Sequence, residues 1–120
     1  MSNQIQLSAR VSSDISFKST KKHQIPVADF RVVHKTRKVK NPLSIDIEVW
    51  GEEVNNIKDN IFRGDLVEIV GQLRRDIWVS KQTGETLSKL KITANKVSII
   101  SVGNYDSENS YNEQEQESTD

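Results

Sequence analysis

The sequence contains no cysteine, which excludes disulfide bonds, thiolate metal sites and a cysteine nucleophile. It has only five glycines, and because they are scattered they form no glycine-rich loop of the kind that cradles phosphates. No stretch approaches the ~20 apolar residues of a transmembrane helix, and the first residues resemble neither a secretion signal nor a transit peptide. We therefore expect a protein that neither spans a membrane nor is secreted.

The sequence offers little for catalysis. Its two histidines, His23 and His34, have no cluster of Asp, Glu or Cys around them at metal-ligand spacing. Asp46 and Glu48 lie two residues apart and could form an acid pair, but a solvated strand face explains them better. No nucleophile elbow is present either. We predict that the protein is not an enzyme and that it has no metal or other cofactor.

The charge of the chain is unevenly distributed, although the formal net charge is zero. Residues 103–120 hold six of the 17 acidic residues and no Lys or Arg, which leaves 11 acids against 17 bases in residues 1–102. Residues 103–120 also lack aliphatic side chains and cannot bury enough apolar surface to offset the entropy lost on ordering. We predict a basic folded domain over 1–102, which suits a polyanionic partner, and a disordered acidic tail over 103–120. A tail that merely aids solubility is an equally good explanation.

Alternation of apolar and polar residues with a period of two predicts five strands in the folded domain. They cover approximately residues 4–12, 27–34, 43–50, 66–79 and 87–100. The residues Ser80 to Glu85 are polar and include a glycine, so they predict a hairpin loop between the last two strands.

Between the third and fourth strands the period changes to that of a helix. Val54, Ile57, Ile61 and Phe62 recur at helical spacing, and Gly64 stands where a C-terminal cap is expected. Three strands, a short helix and two long strands predict a mainly all-β protein, a five-stranded Greek-key OB-fold barrel. An SH3-like barrel or an α+β roll remains an alternative from the pattern alone.

Two predicted loops carry clustered positive charge. The loop between strands two and three contains Lys35, Arg37, Lys38 and Lys40. The loop between strands one and two contains Lys18, Lys21, Lys22 and His23. Such clusters attract phosphates through salt-dependent contacts that do not depend on base sequence. Lysines that only keep the loops soluble are the plainer alternative.

Both tryptophans fall on predicted polar strand faces. If Ile47 faces the core, alternation places Trp50 outside, and if Leu73 and Ile77 face the core, Trp78 lies outside. Indoles exposed in this way are stacking platforms for nucleobases, each contributing ~1–3 kcal/mol. Tryptophans that fill a subunit interface are an equally good explanation.

Several segments of the sequence have the form of known family motifs. The most specific is RGDLVEIVGQLR at 63–74, and shorter matches are RVSSDI at 10–15, VADF at 27–30, IEVWG at 47–51 and the hairpin KQTG at 81–84. These segments resemble the single-stranded DNA-binding (SSB) proteins of bacteria and organelles. The resemblance covers about 95 of the 120 residues and leaves out the tail.

The resemblance implies a homo-oligomer, with a tetramer favoured, that binds single-stranded DNA without strong sequence preference in DNA replication, recombination and repair. By position, Trp50 and Trp78 are implied to stack on bases, while Arg10, Arg74 and the Lys35–Lys40 loop are implied to contact the DNA backbone. We further hypothesise that DNA follows the Lys35–Lys40 and Lys81–Lys91 loops. The predicted nucleic-acid-binding residues are Arg10, Lys35, Arg37, Lys38, Lys40, Trp50, Arg74, Trp78, Lys81, Lys89 and Lys91.

The sequence also departs from the family pattern. Two further aromatic positions of the family fall near Lys38 and at Ser44, and Asp46 and Glu48 place negative charge beside Trp50. The tail does not end in the family's partner-docking peptide, so the resemblance does not extend to that docking and tail-mediated protein partners are left open. A specialised member, plastid-encoded or of the primosome type, fits these departures.

The expected location is the bacterial cytoplasm and nucleoid or the plastid stroma. A protein-interaction module of the primosome type, with weak or vestigial nucleic-acid binding, is the alternative function. RNA is an alternative ligand, because stacking and charge alone do not distinguish ribose from deoxyribose.

Overall fold

The computed structural model of the chain describes residues 1–38 and 40–103, so the predicted tail lies outside the described residues except for Gly103. The helix and strands, in chain order, are β1 (Ile5–Val11), β2 (Ser16–Ser19), β3 (Pro26–His34), β4 (Leu43–Trp50), α1 (Glu53–Asn60), β5 (Leu66–Val79) and β6 (Thr86–Ser101). Within these residues no helix has both the length and the apolar character needed to span a membrane.

Five of the strands close into a barrel. They are hydrogen-bonded in the order β1, β5, β6, β4, β3, and β1 also pairs with β3, so the sheet returns on itself. The pairing of β4 with β6 is parallel, and the other pairings are antiparallel. The helix α1 lies between the third and fourth barrel strands, so the predicted OB-fold architecture is confirmed.

The barrel core is built from the inward side chains of the alternating strands. The fully buried members are mostly Ile and Val, each of which stabilises the fold by about 1.5–3 kcal/mol relative to an exposed side chain. The helix adds Val54, Ile57 and Ile61 to the same cluster. The largest strand residues of the core are Phe30, Ile45, Ile47, Ile69 and Ile92.

The strand β2 is an addition to the barrel that the sequence pattern missed. All four of its residues are exposed, so they show no alternation of apolar and polar side chains. It pairs with the first half of β3 through a tight turn in which the Thr20 N–H donates to the Ile25 carbonyl at 3.0 Å. Gln24 in this turn has a positive φ of 54°. The turn therefore fixes the position of the basic residues 21–23 at its tip.

The helix ends earlier than its spacing predicts. Ile61 is already extended and Phe62 is exposed, so the prediction of Phe62 on the helix and of Gly64 as its cap is wrong. Gly64, with a φ of 98°, belongs instead to a turn after the helix. The buried carboxylate of Asp65 accepts the N–H groups of Phe62 and Gly103, both at 2.9 Å. These two bonds stabilise the turn and join it to the end of β6. The chain therefore turns after α1 without Gly64 acting as a helix cap.

The strands β5 and β6 are longer than the barrel. At Gly71 a Cβ atom would lie 2.2 Å from the Thr93 carbonyl oxygen, so only glycine permits this close approach at the bulge. Beyond Leu73 the two strands leave the barrel as a hairpin exposed on both faces. Ile77 is 55 % exposed, so the prediction that it faces the core is wrong. The alternation is intact there, but the barrel no longer lies beneath it.

Candidate nucleic-acid interface

One polar face of the sheet carries both tryptophans, and we call it the outer face. Residues paired directly across neighbouring strands point to the same side of a sheet, so the strand pairings show which residues belong to the outer face. Asp46 pairs with Lys91, and Lys91 pairs in turn with Arg74. The face includes Asp29, Arg31, Asp46, Glu48, Trp50, Gln72, Arg74, Asp76, Trp78, Leu87, Lys89, Lys91 and Thr93.

The two indole rings lie at opposite ends of the outer face and both reach solvent. Trp50 and Trp78 are each 44 % exposed, so neither ring is packed beneath side chains of its own chain. The strand registers place Trp50 four residues to one side of the Asp46–Lys91 pair and Trp78 four residues to the other. At ~3.3 Å per residue the two positions are about 26 Å apart along the strands.

Trp50 is fixed against the barrel. Its indole Nε1 donates a hydrogen bond of 2.6 Å to the Glu48 carboxylate. Val27, its direct neighbour on β3, is only 1 % exposed although it is not part of the core cluster. The bond to Glu48 therefore orients the ring next to a buried neighbour, and 44 % of Trp50 remains exposed to solvent.

Trp78 lies on the protruding hairpin, opposite Leu87 on β6. Among the described residues its indole N–H has no hydrogen-bond partner, and Leu87 is itself exposed. The position of Trp78 thus depends on the hairpin alone.

Ion pairs cover the outer face between the two rings. Lys91 contacts both Glu48 and Asp76 at 3.0 Å, and Asp46 is paired with Lys89 and, at 2.9 Å, with Arg31. A further pair on β2 and β3 joins Lys18 to Asp29 at 3.1 Å. Four cations and four acids take part, so their charges cancel. The structure therefore places the predicted site residues Lys89 and Lys91 in ion pairs at a neutral centre.

The ion pairs also shift the protonation equilibria of the centre. Burial raises the pKa of Asp46, but the hydrogen bonds and charges of Lys89 and Arg31 outweigh burial and hold that pKa below its ordinary value. Burial lowers the pKa of Lys91, but the hydrogen bonds and charges of Asp76 and Glu48 raise that pKa above its usual value. Both groups are therefore charged at neutral pH and retain their partners.

Basic segments lie at the two ends of the face rather than at its centre. The β2–β3 turn, with Lys21, Lys22 and His23, is next to Trp50, because Val27 pairs with Trp50 and the Gly51 N–H donates to the Pro26 carbonyl at 2.9 Å. The β3–β4 loop leaves the barrel at the end where the hairpin protrudes. Its predicted site residues, exposed and without ion pairs in the described part of the chain, are Lys35, Arg37, Lys38 and Lys40.

The other predicted site residues fall in different surroundings. Arg74 is exposed on the outer face beside Lys91, and Lys81 is exposed at the tip of the hairpin. Arg10 is partly buried on β1, and its guanidinium donates to the Gly64 carbonyl at 2.7 Å. The structure thus brings Lys81 to the same end as Trp78 and leaves Arg74 at the centre of the face, four residues from Trp78, while Arg10 holds the turn after the helix.

The β2–β3 turn is a basic segment of this end of the face that the predicted site residues omit. Its cluster of Lys21, Lys22 and His23 is visible in the sequence. Only the pairing of β2 with β3, which the pattern does not reveal, places that cluster beside Trp50.

The closed barrel and its exposed rings define an OB-fold binding protein. The family model described as the single-strand binding protein family matches residues 2–100, and the chain belongs to this family. The resemblance seen in the sequence is thereby confirmed. Proteins of this family are non-enzymatic DNA-binding proteins, which confirms the prediction that the chain is not an enzyme.

Known proteins similar to this chain point to the same family. A thylakoid-associated single-stranded DNA-binding protein of Synechocystis sp. is 29 % identical over 103 residues, which are 85 % of this chain and 79 % of that protein. The solved SSB domain of a Synechococcus protein matches with a TM-score of 0.66 at 21 % identity, covering 82 % of this chain and 96 % of that one. A mitochondrial single-stranded DNA-binding protein of S. cerevisiae matches with a TM-score of 0.71 at 13 % identity, covering 86 % and 100 %. At these identities the two solved structures support the fold.

Proposed function

We propose that the chain binds single-stranded DNA with little sequence preference, stacking bases on Trp50 and Trp78 and contacting phosphates through the basic segments. The observation that carries this proposal is the placement of two exposed indoles at opposite ends of one face, each beside basic residues. Membership of the single-strand binding protein family and the name of the Synechocystis relative support DNA as the ligand.

The arrangement explains how such binding is tolerant of sequence. Every base has a π-face, so stacking contributes ~1–3 kcal/mol per base whatever the base is. Lys35, Arg37, Lys38, Lys40 and Lys81 add phosphate contacts that release counterions and likewise do not read sequence. The distance between the rings suits a strand of a few nucleotides, within the ~4–16 nucleotides that one OB-fold covers.

We extend the proposal to assembly and biological role. Ile77, Val79 and Leu90 are exposed on the hairpin face opposite Trp78, and burial of such side chains between subunits supports a homo-oligomer, proposed to be a tetramer. The family supports a role in DNA replication, recombination and repair. The thylakoid-associated relative supports a plastid or cyanobacterial origin, and hence the plastid stroma or the bacterial cytoplasm and nucleoid.

Titration with oligo(dT), followed by tryptophan fluorescence at several salt concentrations, tests the proposal. We expect quenching whose log affinity falls with log salt by about 0.7 for each phosphate contact. If oligo(rU) quenches the fluorescence as strongly as oligo(dT), the ligand is single-stranded nucleic acid in general and not DNA alone. An unchanged emission at low salt would overturn the proposal.

The exposed apolar residues of the hairpin also favour a second candidate, a protein-interaction module with vestigial DNA binding. In that protein Ile77 and Val79 would contact a partner protein through one face of the hairpin, and both indoles would anchor a protein contact on the outer face. Their emission would then be blue-shifted in the free oligomer and would not respond to oligo(dT). The fluorescence titration therefore separates the two candidates.

A further inference from the structure

Glu48 differs from the other acids of the outer face, because it binds a tryptophan as well as a cation. One carboxylate oxygen accepts the Trp50 indole N–H at 2.6 Å, and the other accepts the Lys91 ammonium at 3.0 Å. The side chains of Glu48 and Lys91 are only 17 % and 18 % exposed. Hydrogen bonds to a charged group are stronger than those between neutral groups, so both contacts restrict motion of the ring and the ammonium.

The bond to Glu48 determines which part of Trp50 is available to a ligand. An indole has a single hydrogen-bond donor, and in this protein that donor is occupied by a carboxylate. The ring can therefore offer its π-face to a base, while its N–H cannot reach a base edge or a phosphate oxygen. A base that stacks on Trp50 is thus bound without a hydrogen bond that depends on its identity.

The same carboxylate also acts on the phosphate backbone. Lys91 is shared between Glu48 and Asp76, so a phosphate that approaches Lys91 must compete with two carboxylates already in place. The negative charge of Glu48 further repels that phosphate. The basic segments at the ends of the face meet no such competition among the described residues.

We propose that Glu48 is a positioning and specificity-determining residue of the DNA-binding face, an inference that rests on the proposed function. Glu48 holds the Trp50 ring ready for stacking and keeps phosphates from Lys91. The DNA strand then contacts the face around Lys91 through its bases, and its phosphates are left to Arg74 and to the basic segments at the ends of the face.

The positioning role is tested without DNA. In a Trp78→Phe background Trp50 is the only tryptophan, so fluorescence anisotropy and acrylamide quenching report on its ring alone. Glu48→Gln keeps one oxygen, for which the indole N–H and the Lys91 ammonium compete, so we expect its values to lie between those of Glu48 and Glu48→Ala. Glu48→Ala removes the acceptor, so anisotropy should fall and quenching should rise. Equal values for all three proteins would overturn the positioning role.

The effect on phosphates is tested by oligo(dT) binding as a function of salt. Glu48→Gln frees Lys91 from one of its two acids, so we expect tighter binding at low salt and a log–log slope steeper by about 0.7. The gain should then shrink by roughly five-fold for each ten-fold increase in salt. Glu48→Ala should bind more weakly than Glu48→Gln, because it gains the same charge change but loses the orientation of the ring.

Glu68→Gln is the matched control for charge. It removes one glutamate from a strand surface of the barrel, where Glu68 accepts a hydrogen bond from Gln6 at 3.0 Å and has no tryptophan among its strand-pair partners. Equal slopes for Glu48→Gln and Glu68→Gln, with both proteins folded by circular dichroism, would overturn the inference while leaving DNA binding intact. A protein with Glu48 in place that fails to bind oligo(dT) at low salt would overturn the proposed function itself, and the phosphate role with it.

Discussion

Trp50 and Trp78 have the same exposed fraction but are held in place in different ways. Trp50 belongs to the barrel, where Glu48 takes its N–H and Val27 lies buried beside it. Trp78 lies on a hairpin that extends past the core, with an exposed Leu87 as its cross-strand neighbour. Equal exposure therefore does not mean equal constraint.

The difference suggests distinct contributions from the two ends of the face. A ring that is already oriented loses little conformational entropy when a base stacks on it. A ring on an exposed hairpin can follow a strand whose path varies, at the cost of being ordered on binding. We expect the Trp50 end to be a fixed platform and the Trp78 end to be an adaptable one.

The largest expected difference between the two regions is in stability. Ile47→Ala removes a side chain buried beside the Trp50 end of β4 and should lower the free energy of unfolding by about 2–5 kcal/mol. Ile77→Ala, on the exposed hairpin, should change it by less than about 0.5 kcal/mol. Urea unfolding followed by far-UV circular dichroism measures both. Equal losses at low protein concentration would show that the hairpin is part of the core.

Replacing each tryptophan in turn compares how much the two ends of the outer face contribute to DNA affinity. Trp78→Ala should weaken oligo(dT) binding by ~1–3 kcal/mol without changing stability appreciably. Trp50→Ala should weaken binding by a similar amount and also destabilise the domain by about 0.5–3 kcal/mol, because it removes the hydrogen bond to the Glu48 carboxylate and the large side chain opposite the buried Val27. Fluorescence of the remaining tryptophan and thermal unfolding give the two quantities. An unchanged affinity in either variant would remove that ring from the interface.

Replacing single lysines compares how much the basic ends and the ion-paired neutral centre of the outer face contribute to the salt dependence of DNA affinity. Lys38→Gln, in the exposed β3–β4 loop, should reduce the slope of log affinity against log salt by about 0.7. Lys89→Gln should leave that slope nearly unchanged, because Lys89 is paired with Asp46. Titrations of both variants with oligo(dT), between low and moderate salt, measure the two slopes. A larger decrease for Lys89→Gln would mean that DNA displaces the ion pairs of the centre.

The smallest expected effect is the change in the free energy of unfolding at low pH. Because the folded-state pKa of Asp46 lies below the ordinary value of 3.8, its ion pairs stabilise the fold above that pH and are lost as the pH falls through the folded-state pKa. The difference in free energy of unfolding between the protein and Asp46→Asn should be constant from pH 7 to 5 and shrink below about pH 4. Urea unfolding at each pH measures it. A difference that persists unchanged at pH 3 would contradict the assignment.

Much of the fold could be predicted because alternation and burial agree wherever the barrel lies beneath a strand. Ile45, Ile47 and Val49 face inward as predicted, and this placed Trp50 correctly on the outside. The prediction was wrong at Ile77, because alternation reports which side a residue faces and does not report whether anything covers that side. The strand β2 was missed because it is exposed on all four residues.

The candidate site could be predicted as a set of residue types but not as an arrangement. Clustered lysines and outward tryptophans are properties of the local sequence. The neutral centre depends on pairings between residues far apart in the chain, such as Glu48 with Lys91 and Asp46 with Lys89. The sequence showed acids beside Trp50, and only the ion pairs of the folded protein show which cations neutralise them.

Closure of the barrel has a consequence for how the chain folds. The hairpin that carries Trp78 joins neighbouring segments through a six-residue loop, and such hairpins form in about 1–10 μs. The barrel closes only when Ile5 reaches Gly71, and folds dominated by such distant pairings typically form in milliseconds to seconds. The hairpin of the Trp78 end is therefore local and fast to form, whereas the bond between Glu48 and Lys91 at the Trp50 end joins residues 43 positions apart and awaits the pairing of β4 with β6.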